Sequence, residues 1–154
     1  MGATTSPEES TAFVSAKELR SLLDSALREI DSDPVAGARM RSAAAPVRLD
    51  FPDLKLRLEI RAAKDRRHYL DWDFTKSSVK KDEPAQGLQM TMSSDVGDRF
   101  LQGKENPAIA LVRGRMRVSC GDTVAAVRFF PAAKPLFERY RELIRAKHPQ
   151  LLRD

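Results

Sequence analysis

Apolar residues recur along this chain with two different periods, and the change from one to the other marks its organisation. Leu19, Leu22, Leu23, Ala26, Leu27 and Ile30 fall at i, i+3, i+4, i+7, i+8 and i+11, the spacing of one helical face. Ser15 with Glu18 three residues on forms a capping box at the start, and Asp33-Pro34 followed by Gly37 reads as the stop. The small-residue stretch from Pro34 to Pro46 reads as a connector. Beyond it the period becomes two. Leu54, Leu56, Leu58 and Ile60 alternate with Lys55, Arg57, Glu59 and Arg61, which predicts a strand with an aliphatic face and a charged face, in a sheet with one side in water. Leu70, Trp72 and Phe74 alternate with Asp71, Asp73 and Thr75 and predict its antiparallel neighbour, joined through the polar link Ala63 to Arg66. Val47, Leu49 and Phe51 suggest another extended piece before Pro52-Asp53. Ser77 to Lys81 suggests a short edge strand defended by Lys80 and Lys81.

Leu88, Met90 and Met92 alternate with Gln89, Thr91 and Ser93 in a further strand, which leads into a short helix starting at Ser94-Asp95 and stopping at Gly103. Asn106-Pro107 caps the next helix, which ends at Gly114. From Arg115 to Cys120 alternation returns, with Met116 and Val118 inward. Gly121-Asp122 then turns the chain into a helix from Thr123 to Phe130. After Pro131, the residues Leu136, Phe137, Tyr140, Leu143 and Ile144 trace one face of a separate final helix ended by Pro149. Strands and helices in this order make an α+β fold.

Composition bounds the picture. The chain has 154 residues, 42% hydrophobic and 32% charged, with only seven glycines, as an ordinary globular domain does. Residues 1–12 are polar and read as a disordered tail, leaving 13–154 as a single domain. The net charge of +5 favours anionic partners. The basic residues are dispersed, however: Arg39 and Arg41, then Arg113, Arg115 and Arg117, then Arg139, Arg141, Arg145 and Lys147, with acids between. That is the pattern of a solvated face, compatible with transient contact with an anionic membrane surface and not with nucleic acid. Cys120 alone cannot close a disulfide, and with His68 and His148 scattered it forms no zinc pattern. The single cysteine and the absence of a secretory apolar region or a long apolar run point to the cytoplasm. Met1-Gly2-Ala3-Thr4-Thr5-Ser6 matches the loose pattern for N-myristoylation.

Catalytic constellations are missing: there is no Gly-x-Ser-x-Gly elbow, no Gly-rich phosphate loop and no His-Glu-x-x-His. Asp71 and Asp73 share a strand face beside a charged strand and read as partners for Lys and Arg. The expectation is a protein that is not an enzyme and carries no metal or other cofactor.

One stretch is more specific. Phe100-Leu101-Gln102-Gly103-Lys104-Glu105-Asn106-Pro107-Ala108-Ile109-Ala110-Leu111-Val112-Arg113-Gly114-Arg115-Met116-Arg117-Val118 resembles the signature of the sterol-carrier-protein type 2 family, Gly-Lys-x-Asn-Pro-x-x-Ala followed by Gly and an alternating strand. The similarity runs from about Pro84 to Phe130 and extends in element order from about Leu54. It implies a five-stranded, mostly antiparallel sheet covered by helices and enclosing a hydrophobic tunnel for fatty acyl, acyl-CoA, sterol or phospholipid ligands, without catalysis or cofactor. The resemblance would draw the tunnel wall from Leu88, Met90, Met92, Phe100, Leu101, Ile109, Leu111, Val112, Met116 and Val118, with Phe137 and Tyr140 as a lid. The same side chains would equally fill a solid core, leaving an accessory interaction module for a lipid or quinone biosynthetic partner as the alternative. Three positions depart from the family pattern. Many members have an acidic residue where Gln86-Gly87-Leu88 begins, a glutamine where Ala108 stands, and a glutamine where Arg113 places a guanidinium able to meet a carboxylate or phosphate. The final Leu152-Arg153-Asp154 is not a peroxisomal address.

Overall fold

The computed structural model describes residues 15–43, 46–65, 67–77, 87–120 and 123–153. The expected tail over 1–12, the Gly121-Asp122 turn and all but Ser77 of the expected edge strand lie outside the described residues.

The first helix, α1 (Ala16–Asp31), buries the six positions its spacing selects, Leu19, Leu22, Leu23, Ala26, Leu27 and Ile30. Ser15 Oγ accepts from the Glu18 backbone N–H at its start. The expected connector after Asp33 is instead a second helix, α2 (Pro34–Ala43). Asp33-Pro34 is a start signal as well as a stop. The Asp33 carboxylate accepts from the N–H groups of Val35 and Ala36, and proline at the first helical position loses only an N–H that would have had no helical partner. Gly37 does not break this helix; it lets the helix approach the Tyr69 ring, whose Cδ2 would lie 2.6 Å from an added Cβ.

Five strands form one mixed sheet in the order β3-β2-β1-β4-β5, made of β1 (Val47–Phe51), β2 (Leu56–Ala62), β3 (Leu70–Lys76), β4 (Leu88–Met92) and β5 (Met116–Cys120). All neighbours are antiparallel except β1 and β4, which run parallel. The proposed extended piece at Val47, Leu49 and Phe51 is thus a central strand. Leu54, expected to open β2, belongs instead to a 3-10 turn over Pro52–Leu54, and Lys55 then takes a left-handed conformation (φ 53°) before the strand begins. Register puts like with like. Phe74, Leu58, Leu49, Met90 and Val118 lie in one row across all five strands. In an adjacent row on the opposite face lie Asp73, Glu59, Arg48, Gln89 and Ser119.

That opposite face is polar but not wholly wet, which corrects the expectation of one side in water. Asp50 is fully buried and Arg57 nearly so. The Asp50 carboxylate accepts from Arg57 Nε at 2.8 Å, Ser77 Oγ at 3.0 Å and Gln89 Nε2 at 3.0 Å, so burial leaves it well supplied with donors. Arg48 pairs with Glu59, and Arg61 with Asp73, across the strands as the charge pattern suggests.

The helices α3 (Ser94–Leu101) and α4 (Pro107–Val112) connect β4 to β5. Gly103 and Gly114, at φ 75° and 73°, take the left-handed turns that end them. Asn106 caps α4 by accepting from the N–H groups of Ala108 and Ile109. The two helices expected on either side of Pro131 are a single helix, α5 (Thr123–Lys147), with Pro131 and Pro135 inside it. The two prolines stand one turn apart, so the missing donors fall on one side of the helix. Pro131 is exposed, and so is Val127, the residue whose carbonyl loses its helical N–H partner to that ring.

One apolar cluster joins α1, α2, α3 and α5 to the aliphatic face of the sheet. Hydrogen bonds fix α1 against β3: Trp72 Nε1 donates to Asp24 at 2.9 Å, and Asp31 accepts from the N–H groups of Tyr69 and Leu70 at 2.8 and 3.0 Å. No helix among the described residues is long and apolar enough to cross a membrane.

Candidate functional site

The layer between the β4–β5 half of the sheet and helices α3 and α5 is where most of the sequence-selected apolar residues meet. Alternation sends Leu88, Met90, Met92 and Met116 toward the helices, where each is at most 3% exposed. From α3 come Phe100 and Leu101, and from α5 Tyr140, all equally buried, while Val118 and Phe137, partly buried, pack against the same apolar cluster. Edge-on ring contacts join the two helices: the Phe100 centroid lies 4.9 Å from that of Phe137 and 5.9 Å from that of Phe130. The three remaining candidates do not join this layer. Ile109, Leu111 and Val112 lie on α4, which buries only Ala110, and they are 46%, 43% and 87% exposed.

Beside the apolar layer lies a polar cluster that sequence reasoning missed. Asp95 and Asp98 of α3 are buried, at 3% and 1% exposure. Asp98 accepts from the Tyr140 hydroxyl at 2.8 Å, from Gln102 Nε2 at 3.0 Å and from Arg153 Nε at 2.7 Å. Arg153 also donates to Asp95 at 2.8 Å, and Arg99 pairs with Asp95 one turn along the helix. The backbone joins in: Gln102 Nε2 donates to the Leu151 carbonyl, its Oε1 accepts from the Arg153 N–H, and Arg141 donates to the Arg153 carbonyl. Burial, followed by the charge of Asp98 and its hydrogen bond, pushes the Tyr140 phenol well above the usual tyrosine range. For Arg153, burial would lower the pKa, but the hydrogen bonds and charges of Asp98 and Asp95 outweigh it and raise the value. Tyr140, expected as part of a lid, therefore has its hydroxyl committed to Asp98. The one signal available was spacing, since Asp95, Asp98 and Gln102 fall at i, i+3 and i+7 on a single helical face; nothing local says that this face is covered.

Three surface clefts lined by described residues add further chemistry. The first, of about 420 Å³, is lined by Asp24, Arg28, Asp31, His68, Leu70, Asp71 and Trp72. Burial disfavours the Asp24 carboxylate, but hydrogen bonds from Arg28 and Trp72 hold its pKa below the ordinary value; Asp31 is lowered likewise, against burial, by the Leu70 N–H, His68 and the Tyr69 N–H. The second, also about 420 Å³, lies between α2 and α5 and is lined by Arg39, Ser42, Ala43, Arg128, Pro131 and Ala132. The third, about 300 Å³, lies where β4 and β5 meet the Pro52–Leu54 turn and includes Met92, Arg115 and Arg117. Its Asp53 is already occupied in accepting from the N–H and hydroxyl of Ser94 at the start of α3. Arg113, which departs from the family pattern, caps the end of α4 and is exposed. No group of three or more His, Cys, Asp or Glu side chains among the described residues is placed to hold a metal ion.

No family model and no curated protein matches the chain. Solved structures do. A solution structure of a conserved hypothetical protein from Thermus thermophilus superposes with a TM-score of 0.53 at 13% identity, over 92% of this chain and 95% of that one. A crystal structure of sterol carrier protein 2 superposes with a TM-score of 0.51 at 17% identity, over 79% of this chain and 95% of that one. A stereoselective inverting sec-alkylsulfatase from Pseudomonas sp. also matches, at a TM-score of 0.47 and 17% identity over 62% of this chain, which there spans only 14% of the enzyme's length. The two fuller superpositions cover nearly the whole of each partner, and they share with this chain an architecture in which helices cover a five-stranded mixed sheet. The chain has the sterol-carrier-protein-2-like fold.

Proposed function

We propose that this chain, as a single domain over 13–154, is a non-catalytic lipid carrier that takes an acyl or sterol ligand between the β4–β5 half of the sheet and helices α3 and α5. The observation that carries this reading is the methionine content of that layer. Met90, Met92 and Met116 line it with at most 3% exposure, and Met92 stands directly across from Met116. Unbranched thioether side chains repack at low cost, so a methionine-lined layer parts for ligands of varied shape more readily than one of β-branched residues. Each buried ligand methylene contributes about 0.8 kcal/mol toward that opening. The near-complete burial of the same residues equally suits a second reading, an accessory module whose core stays filled and whose exposed α4 side chains, Ile109, Leu111 and Val112, meet a partner protein.

Native mass spectrometry of freshly purified protein, followed by delipidation and titration with a fluorescent fatty acid, separates the two. Co-purified lipid and saturable binding at one site are the expected results. No lipid and no binding would overturn the carrier reading in favour of the filled module.

A further inference from the structure

The cleft between α2 and α5 differs in charge from the other two. It is lined from α2 by Arg39, Ser42 and Ala43, and from α5 by Arg128, Pro131 and Ala132, so the same i, i+3, i+4 spacing faces the cleft from both sides. Ala43 and Ala132 are buried at 6% and 7% exposure, and their small side chains leave an apolar floor where two helices would otherwise close. At the rim stand two exposed guanidiniums. Among the described residues neither Arg39 nor Arg128 makes an ion pair, and no carboxylate lines the cleft, whereas the first cleft contains Asp24, Asp31 and Asp71 and the third contains Asp53. The Ser42 hydroxyl already donates to the Ala38 carbonyl, which leaves the guanidiniums as the donors at the rim. At about 420 Å³ the cleft falls within the range of about 300–1,000 Å³ typical of small-molecule sites.

Two cations with no counter-charge among the described residues, above an apolar floor, are complementary to one class of molecule. We propose that this cleft is a headgroup site for a single-chain anionic lipid, in which Arg39 and Arg128 bind the oxyanion, a carboxylate or a phosphate monoester, and Ala43, Ala132 and Pro131 cover the first part of the chain. Planar guanidiniums suit either oxyanion, because each presents paired N–H donors to two oxygens. The assignment rests on the carrier reading and narrows it, since it selects anionic ligands over sterols and neutral lipids.

The test is a set of fluorescence titrations of the delipidated full chain with a fluorescent C18 fatty acid and with its alcohol, using lysophosphatidic acid and inorganic phosphate as competitors. The proteins are wild type, Arg39→Gln, Arg128→Gln, the double variant, and Arg145→Gln as a surface control. Each cleft substitution is expected to weaken fatty-acid binding roughly tenfold, the double variant more, with the alcohol and the control little changed. Lysophosphatidic acid should displace the fatty acid at far lower concentration than inorganic phosphate, and whichever head loses more affinity in the double variant is the preferred oxyanion. Equal affinity of wild type and double variant for the fatty acid overturns the headgroup site while leaving the carrier reading intact. Failure to bind either acid or alcohol overturns both. Displacement by inorganic phosphate as effective as by lysophosphatidic acid overturns the role of the floor. Binding to phosphatidylglycerol vesicles but to no monomeric lipid would replace the site with a membrane-docking surface.

Discussion

Arg153→Ala tests whether the segment after α5 is fastened to α3 by charge. Arg153 reaches α3 from beyond the last helix and donates to Asp98 at 2.7 Å and to Asp95 at 2.8 Å, two carboxylates at 1% and 3% exposure. Removing one partner of a buried ion pair typically costs about 3–5 kcal/mol, because the other charge stays buried. Two features reduce the figure here. The Arg153 side chain is 21% exposed, so water already screens part of the interaction, and each acid keeps other donors, Tyr140 and Gln102 for Asp98 and Arg99 for Asp95. The expected loss is about 2–3 kcal/mol, out of a total stability of about 5–15 kcal/mol. For a chain of this size that lowers the melting temperature by roughly 5–10 °C. Urea unfolding of wild type, Arg153→Ala, Asp98→Asn and the double variant forms a double-mutant cycle, in which the paired residues should couple by about 1–2 kcal/mol. A loss under about 0.5 kcal/mol for Arg153→Ala, or strict additivity in the cycle, would show that the tail rests on α3 without holding it.

Other perturbations probe the remaining supports. In Gly97→Ala, the new Cβ would lie 2.4 Å from the fully buried Phe51 ring, so urea unfolding should show a loss of about 1–3 kcal/mol; an unchanged midpoint would mean that ring moves freely. Asp53→Ala removes the acceptor of the Ser94 N–H and hydroxyl at the start of α3, and a stability loss of about 0.5–2 kcal/mol by thermal melting is expected. Asp24 and Asp31 have pKa values below their unfolded values, so their contribution is complete above the unfolded pKa and lost as pH falls through the folded one. Acid titration of stability should therefore steepen below about pH 4, and Asp31→Asn should flatten that limb. Tyr140 shifts the other way: its raised pKa favours the folded state below the unfolded value near pH 10 and ceases to do so as pH rises through the folded value.

Local pattern determined much of this protein by itself. The i, i+3, i+4 spacing selected all six buried residues of α1, and strict alternation selected the inward faces of β2, β4 and β5. Glycine and the Asn-Pro pair located the ends of α3 and α4, because left-handed turns and N-caps are properties of a few adjacent residues. The ordered signature around Gly103 to Gly114 indicated the fold that the superpositions show. Local signals failed where one residue type serves two ends. Asp33-Pro34 both stops α1 and starts α2, and Pro131 reads as a break although solvent on its side of α5 lets the helix continue. Tertiary structure alone decided the rest. The parallel pairing of β1 with β4 joins residues about forty positions apart. The burial of Asp50, Asp95 and Asp98 depends on donors from distant elements, Gln89 and Ser77 for the first and Tyr140 and Arg153 for the others. The exposure of Ile109, Leu111 and Val112 likewise follows from α4 packing only through Ala110. A charged side chain is buried only when the fold brings it partners, and an apolar one only when the fold brings it a covering surface; neither condition is written in the residue's own neighbourhood.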